Sequence, residues 1–182
     1  MSTLPTPLRL IGNPEENFYI LGKKHQGVYT KLHSALFPQT GLLKQWPLKL
    51  SPWPRRKAPV HAPPQGLFGN WLQSYCEGLE VPLASYLHVL ATLEQKLWVS
   101  GTSVFLWDKE SQHSEHLRTV DFPQNWVQGE ATELIYLKAP GLPAVVMVTV
   151  QGLPFLPLSL MNEHGVTLAL HAKYHGQTHA EG

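Results

Sequence analysis

The pattern of apolar residues changes near residue 100, and this change constrains the fold more than any other feature of the chain. Before it, apolar residues recur at the spacing of one helix face, as in Trp71, Leu72, Tyr75, Cys76 and Leu79. After it, short alternating or β-branched runs are separated by turn signals such as Pro140-Gly141. Helices followed by strands predict an α+β fold.

The first hundred residues are predicted to be mainly helical. Asn13, as an N-cap, and Pro14 predict a helix start after a short strand at 7–12, and we expect that helix to run to about Leu36. Two further helices are expected between Leu67 and Lys96. The proline-rich segment 38–66 cannot form a continuous helix or a central strand, so it is predicted to be an extended surface loop.

The second region, residues 101–182, is predicted to be an antiparallel β region. Its candidate strands share β-branched or alternating residues and lie at 102–107, 116–122, 132–138, 144–151 and 166–172. The domain organisation expected from the sequence is therefore a helical region at 1–100 followed by this β region.

Composition excludes several classes of function. The chain has 182 residues and a net charge of +1, which gives no electrostatic case for binding nucleic acid or an anionic membrane. It has no apolar run of about 18 residues and no basic start followed by an apolar block, so neither a membrane span nor a signal peptide is expected. Cys76 is the single cysteine, so no internal disulfide can form, and a cytoplasmic location is expected.

Three segments of the sequence carry a resemblance to one family of enzymes. The first runs from Gly12 through Glu16 to Gly27, and the second combines Gly101 to Asp108 with His116 to Pro123. The third contains Met161-Asn162-Glu163-His164-Gly165 and the alternating run after it. In this order they resemble the acyl-CoA:6-aminopenicillanate acyltransferase-like family and the related choloylglycine hydrolases, which are N-terminal-nucleophile amide hydrolases and acyltransferases.

The second segment is the most specific of the three. The family has a Cys-Thr-Ser strand, a polar turn, and a strand that bears Arg-Asn-x-Asp-Phe/Tyr. Here the matching residues are Thr102, Ser103, Arg118, Asp121 and Phe122. Their spacing predicts a hairpin that returns the second strand to the start of the first.

The resemblance implies a fold and a chemistry. The fold would be an αββα sandwich of antiparallel sheets, preceded here by a prosegment-like region at 1–100. The activity would be hydrolysis of a linear amide, or transfer of an acyl group, with a small-molecule amide or acyl donor as partner and no cofactor or metal. Arg118 would be the orienting guanidinium, Asp121 the carboxylate near the amine of the nucleophile, and His171 would occupy the oxyanion position.

The position of the nucleophile falls on Gly101, where the family has cysteine. Glycine has neither a thiol nor a hydroxyl, so its side chain can perform no attack and no self-cleavage. Three interpretations stay open. The glycine is an engineered change that traps an uncut precursor, or it is a natural loss that leaves a pseudoenzyme, or the nucleophile is the neighbouring Ser100 or Thr102.

Two other classes of function compete with catalysis at residue 101. The strands after Gly165 are too few for the complete family fold, so the chain is expected to be a truncated product, or to have its sheet completed by a homo-oligomer or a second chain. A non-catalytic binding or regulatory subunit is the main alternative function. A metal-dependent hydrolase using His171, His175 and His179 is the third class; solvated histidines are favoured over it.

Two further residues are given structural roles. Cys76 lies on an apolar helix face and is predicted to be a buried, unreactive cysteine. Asn162 is predicted to shape the turn that contains it, because asparagine hydrogen-bonds its own backbone.

Overall fold

A computed structural model describes residues 6–37, 66–96, 102–110, 113–119 and 132–170. Within these residues the chain is a mixed α+β protein, as predicted. Its elements in chain order are β1 Leu8–Ile11, α1 Pro14–Leu36, α2 Leu67–Leu79, α3 Leu83–Lys96, β2 Ser103–Asp108, β3 His113–Arg118, β4 Thr132–Lys138, β5 Val145–Val150, β6 Ser159–Asn162 and β7 Thr167–Ala169. The predicted proline-rich loop at 38–66 falls outside the described residues, apart from Gly66.

Helix α1 begins where its capping sequence predicts. The Asn13 side chain accepts a hydrogen bond from the Glu15 N–H at 3.0 Å, and Pro14 occupies the first helical position. Two glutamates follow in the first turn, where the positive end of the helix dipole favours them. The predicted end at Leu36 is also confirmed.

The main sheet has five strands in the order β1-β4-β5-β6-β7. β4 to β7 pair antiparallel, whereas β1 pairs with β4 in parallel. The described strand pairs within 101–182 are therefore all antiparallel, and the parallel pair belongs to β1, a strand for which the sequence predicted no partner. Parallel pairing needs a long crossover, and the helical segment between β1 and β4 provides one.

Two strand predictions needed correction. The strand expected at 116–122 is β3 at His113–Arg118, because Asp108 pairs with His113 and the hairpin turn comes early. Strand β6 was not predicted, since its four residues run directly into the turn at Asn162 and show too short a pattern to recognise.

One face of the sheet packs against the helices. The register places Leu8, Ile135, Met147 and Leu160 in one row across four strands, and this row belongs to the hydrophobic core shared with α1, α2 and α3. The opposite face carries the neighbouring row, Arg9, Tyr136, Val146 and Met161. We call this second surface the open face, because its residues are half-buried or exposed.

Helices α1 and α2 approach each other closely at two glycines. A Cβ built on Gly22 would overlap the carbonyl oxygen of Tyr75, and one built on Gly78 would overlap that of Tyr19. The backbones therefore touch where the side chains are absent, and this contact sets how deeply both helices bury their apolar faces against the sheet.

Strands β2 and β3 form a separate two-stranded hairpin. Its apolar residues on β2 are exposed on both faces, from 43% at Val104 to 65% at Phe105. Among the described residues, no helix has both the length and the apolar character needed to cross a bilayer.

Candidate functional site

The hairpin holds the part of the predicted site that the structure describes. Ser103 pairs with Arg118, and the Thr119 N–H donates to the Thr102 carbonyl at 3.0 Å. The predicted hairpin is therefore confirmed, and the backbone of Arg118 lies opposite the start of β2. Gly101, Asp121 and His171 lie outside the described residues, and for Arg118 only the backbone is described.

A side chain, rather than a carbonyl, completes the ladder at this end of the hairpin. The Thr102 N–H donates to the Thr119 hydroxyl oxygen at 3.1 Å. Thr102, the residue that would follow the nucleophile, is thus held to Thr119, the residue after β3, by two hydrogen bonds, one from its N–H and one to its carbonyl.

Asn162 shapes its turn, as predicted. Its side-chain oxygen accepts hydrogen bonds from the N–H groups of His164 and Val166, each at 3.0 Å. Gly165 within the turn has a φ of 78°, a left-handed conformation that glycine adopts without strain. The geometry of the turn therefore explains why the third segment has asparagine and glycine at these two positions.

Cys76 is a buried structural cysteine, as predicted. It is fully buried on α2, and burial, followed by the nearby Glu77, raises the pKa of its thiol to about 12. The thiolate is the nucleophilic form of cysteine, so a thiol with this pKa is unreactive near neutral pH.

The described part of the chain contains no group of three or more histidine, cysteine or acidic side chains able to hold a metal ion. The histidines considered for a metal site, His171, His175 and His179, all fall outside that part.

A buried polar cluster, which sequence reasoning missed, joins α1 to the sheet. His25 is 1% exposed, and its Nε2 lies 3.0 Å from Oε2 of Glu133 on β4. The other carboxylate oxygen of Glu133 accepts from Nζ of Lys24 at 2.7 Å. On the far side of the ring, Nδ1 lies 3.0 Å from the Tyr75 hydroxyl and accepts from the Gly152 N–H at 3.2 Å.

These contacts define the form of the His25 ring. The Gly152 N–H can only donate, so Nδ1 must be an acceptor and the proton must be on Nε2, where it donates to Glu133. One imidazole therefore bonds to three other parts of the chain: α2, β4 and the turn after β5. The ring is buried, and burial also raises the pKa of the Tyr75 hydroxyl far above its usual range, so the cluster stabilises the fold and presents no nucleophile to a substrate.

The charge of Glu133 adds a pH dependence to stability. Burial alone would raise the pKa of its carboxyl, but the hydrogen bonds from His25 and Lys24, together with the positive charge of Lys24, outweigh burial and lower that pKa below its ordinary value of 4.5. A lowered folded pKa means that the stabilisation is present above about pH 4.5 and is lost as pH falls through the folded pKa.

We therefore expect Glu133→Gln to lower the melting temperature at pH 7 and to have a much smaller effect near pH 3. Thermal melting of both proteins across this range measures the difference. If the melting temperatures of the two proteins differ by the same amount at pH 7 and at pH 3, this assignment is contradicted, because the ionised carboxylate would then contribute nothing to folding.

A sequence signal for this cluster existed. Phe18, Leu21, Gly22, His25 and Tyr29 recur at helical spacing on the buried face of α1. A histidine within such a stripe requires a buried partner. The partner, Glu133, is 108 residues away and could be identified only from the fold.

No protein-family model and no curated protein matches this chain. The resemblance to a family therefore depends on the residues of the three segments.

Proposed function

We propose that the chain is an uncleaved, precursor-like member of the N-terminal-nucleophile amide hydrolases and acyltransferases. The observation that supports this most is the register of the hairpin: Ser103 pairs with Arg118, so a guanidinium-bearing residue lies opposite the second residue after position 101. An amide-cleaving site of this kind requires a cation near its nucleophile to orient the substrate carbonyl.

The chemistry at position 101 would begin with self-cleavage. A thiol at residue 101 adds to the carbonyl carbon of Ser100, the C–N bond between residues 100 and 101 breaks, and the released amine takes the thiol proton. Water then hydrolyses the thioester, which gives the Ser100 carboxylate and restores the thiol. The new α-amine has an ordinary pKa near 8, so it can serve as the base for the thiol at near-neutral pH.

The mature site would apply the same steps to a small-molecule substrate. The thiol attacks the carbonyl of a linear amide, the amine leaves with a proton, and the acyl thioester passes its acyl group to water or to a second amine. In this proposal Arg118 orients the carbonyl, Asp121 holds the α-amine, and His171 donates to the oxyanion. No metal or cofactor takes part in these steps.

The fold proposed with this function is the αββα sandwich. The open face of the five-stranded sheet carries Tyr136, Val146 and Met161, an apolar surface of the type that packs against a second sheet. The exposed apolar residues of the β2–β3 hairpin supply a matching surface. Two-stranded hairpins are marginally stable in water, so we propose that this hairpin belongs to the second sheet.

The test of the proposed function is restoration of the thiol by Gly101→Cys. We expect this variant to release amine from linear amides, whereas the chain as written does not, because only the variant carries a nucleophile. Gly101→Ala is the matched control, since it adds a side chain without a thiol. A colorimetric amine assay over a panel of N-acyl substrates measures the activity.

The alternative function is a non-catalytic binding or regulatory subunit. It is favoured by the absence of any reactive side chain at Gly101 and by the exposed apolar strand β2, with Phe105 65% and Trp107 58% exposed. If Gly101→Cys neither cleaves itself nor releases amine, this alternative replaces the proposed function.

A further inference from the structure

The turn that follows β5 is bonded to the helices through both backbone groups of Gly152. Its N–H donates to Nδ1 of His25 on α1 at 3.2 Å, and its carbonyl accepts from the Tyr86 hydroxyl on α3 at 3.3 Å. Within the turn, the Leu153 N–H donates to the Val150 carbonyl at 2.9 Å. His25 therefore supplies one of the two described hydrogen bonds that join Gly152 to the helical layer.

The charge of the His25 ring determines which neighbour Nδ1 can bond. In the neutral ring this nitrogen is an acceptor, and the Gly152 N–H and the Tyr75 hydroxyl, at 3.0 Å, share its single lone pair. In a protonated ring Nδ1 is a donor, so the Gly152 N–H loses its acceptor. The Tyr75 oxygen keeps its contact, because a hydroxyl can accept as well as donate.

The other side of the ring suits both charge states. Nε2 donates to Oε2 of Glu133 at 3.0 Å whether or not Nδ1 carries a proton. A protonated ring would lie beside this carboxylate, whose other oxygen accepts from Lys24. Uptake of a proton therefore leaves the bond to β4 in place and changes the side of the ring that meets the turn.

Histidine is the side chain whose charge ordinarily changes between pH 5 and pH 8. The carboxyl, phenol and thiol groups described around the ring keep their charge in this range. The pKa of Glu133 is lowered from its ordinary value of 4.5, so this residue stays ionised. Burial raises the pKa of each neighbouring phenol and thiol, which therefore stay neutral: Tyr29 on α1, Tyr75 and Cys76 on α2, and Tyr86 on α3. The turn residues 151–156 have no titratable side chain.

We propose that His25 is a pH-sensitive latch for the turn after β5. With a neutral ring, Nδ1 holds the Gly152 N–H. When the ring takes a proton from solvent, Nδ1 donates to Tyr75 instead, and the turn loses its hydrogen bond to α1. The Tyr86 hydroxyl still holds the turn to α3, so the latch loosens the turn and leaves the sheet folded. This role is independent of the chemistry proposed at position 101.

The test follows hydrogen exchange of the Gly152 amide by NMR between pH 8 and pH 5, corrected for the intrinsic pH dependence of exchange. The nitrogen chemical shifts of the His25 ring report its charge in the same samples. Leu153 is the internal reference, because its N–H bonds to a backbone carbonyl of the turn. We expect the protection of Gly152 to fall about tenfold as the ring takes up a proton, the effect of losing one hydrogen bond. The protection of Leu153 should change by less than about threefold.

Substitutions separate the charge of the ring from its hydrogen bond. His25→Asn places an oxygen near the position of Nδ1 and takes up no proton, so the protection of Gly152 should no longer depend on pH. His33→Asn is the matched control, because His33 is an exposed histidine on the same helix, and it should keep the pH dependence of the parent. Tyr75→Phe removes the acceptor for the protonated ring, so the protection of Gly152 should fall at a lower pH than in the parent.

The latch is overturned if the ring stays neutral down to pH 5, or if it takes up a proton while the protection of Gly152 is unchanged. A pH dependence that persists in His25→Asn also overturns it, because another group would then be responsible. Should His25→Asn fail to fold, Tyr75→Phe decides the question. A fall in protection at the same pH as in the parent would show that the ring does not exchange Gly152 for Tyr75.

Discussion

Gly22→Ala is expected to lower the free energy of unfolding by about 3 kcal/mol, an effect at the upper end of those seen for overpacking. A Cβ at this position would overlap the carbonyl oxygen of Tyr75 and come within 2.9 Å of the Leu79 nitrogen. These are backbone atoms of α2, so no side-chain rotation relieves the contact. The two helices must separate, and their shared apolar core must open with them.

Gly27→Ala is the matched control on the same helix. A Cβ at Gly27 has nothing within 4 Å, and alanine is a better helix former than glycine by about 1 kcal/mol. This variant should therefore be slightly stabilised, whereas Gly22→Ala is strongly destabilised. Urea denaturation followed by circular dichroism measures both. Equal stability of the two variants would show that α1 and α2 do not meet at Gly22.

His25→Ala is the second substitution with a large expected effect, and it should lower the free energy of unfolding by about 3 kcal/mol. It leaves the buried Gly152 N–H without its acceptor, removes one partner from Tyr75 and one from Glu133, and opens a cavity in the core. The imidazole bonds to all three of these groups, so its removal breaks all three contacts at once.

His33→Ala is the control for this variant, because His33 is an exposed histidine on the same helix. This substitution should lower the free energy of unfolding by under about 1 kcal/mol. A double-mutant cycle of His25→Ala with Glu133→Gln should give a coupling energy of about 1 kcal/mol or more. If His25→Ala costs no more than His33→Ala, or if the cycle shows no coupling, the cluster does not stabilise the fold as described.

Local chemistry accounts for the elements that the sequence predicted well. The N-cap at Asn13 and the proline after it determine the start of α1, and the alternating residues of β4 determine its bounds at Thr132–Lys138. Both signals lie within a few residues of the feature that they specify. For the same reason the effect of Gly27→Ala could be judged from helix propensity alone, since a Cβ at this position would have no described atom within 4 Å.

The missed features all depend on partners that are distant in the chain. The parallel pairing of β1 requires β4, more than a hundred residues later, and the role of His25 requires Glu133. Because glycine has a low helix propensity, the sequence alone suggests that Gly22 destabilises α1. In the fold, the missing side chain at Gly22 is what allows α2 to approach. The opposed positions of Ser103 and Arg118 were predictable because a short hairpin joins them.

The most direct test of the account is the intact mass of the Gly101→Cys protein after purification. We predict two polypeptides, residues 1–100 and residues 101–182, because the restored thiol cuts the bond before it, while the chain as written stays whole at 182 residues. A single uncut chain in the variant would contradict the proposed site at position 101. Cleavage of the chain as written, before Ser100 or Thr102, would move the nucleophile to that residue instead.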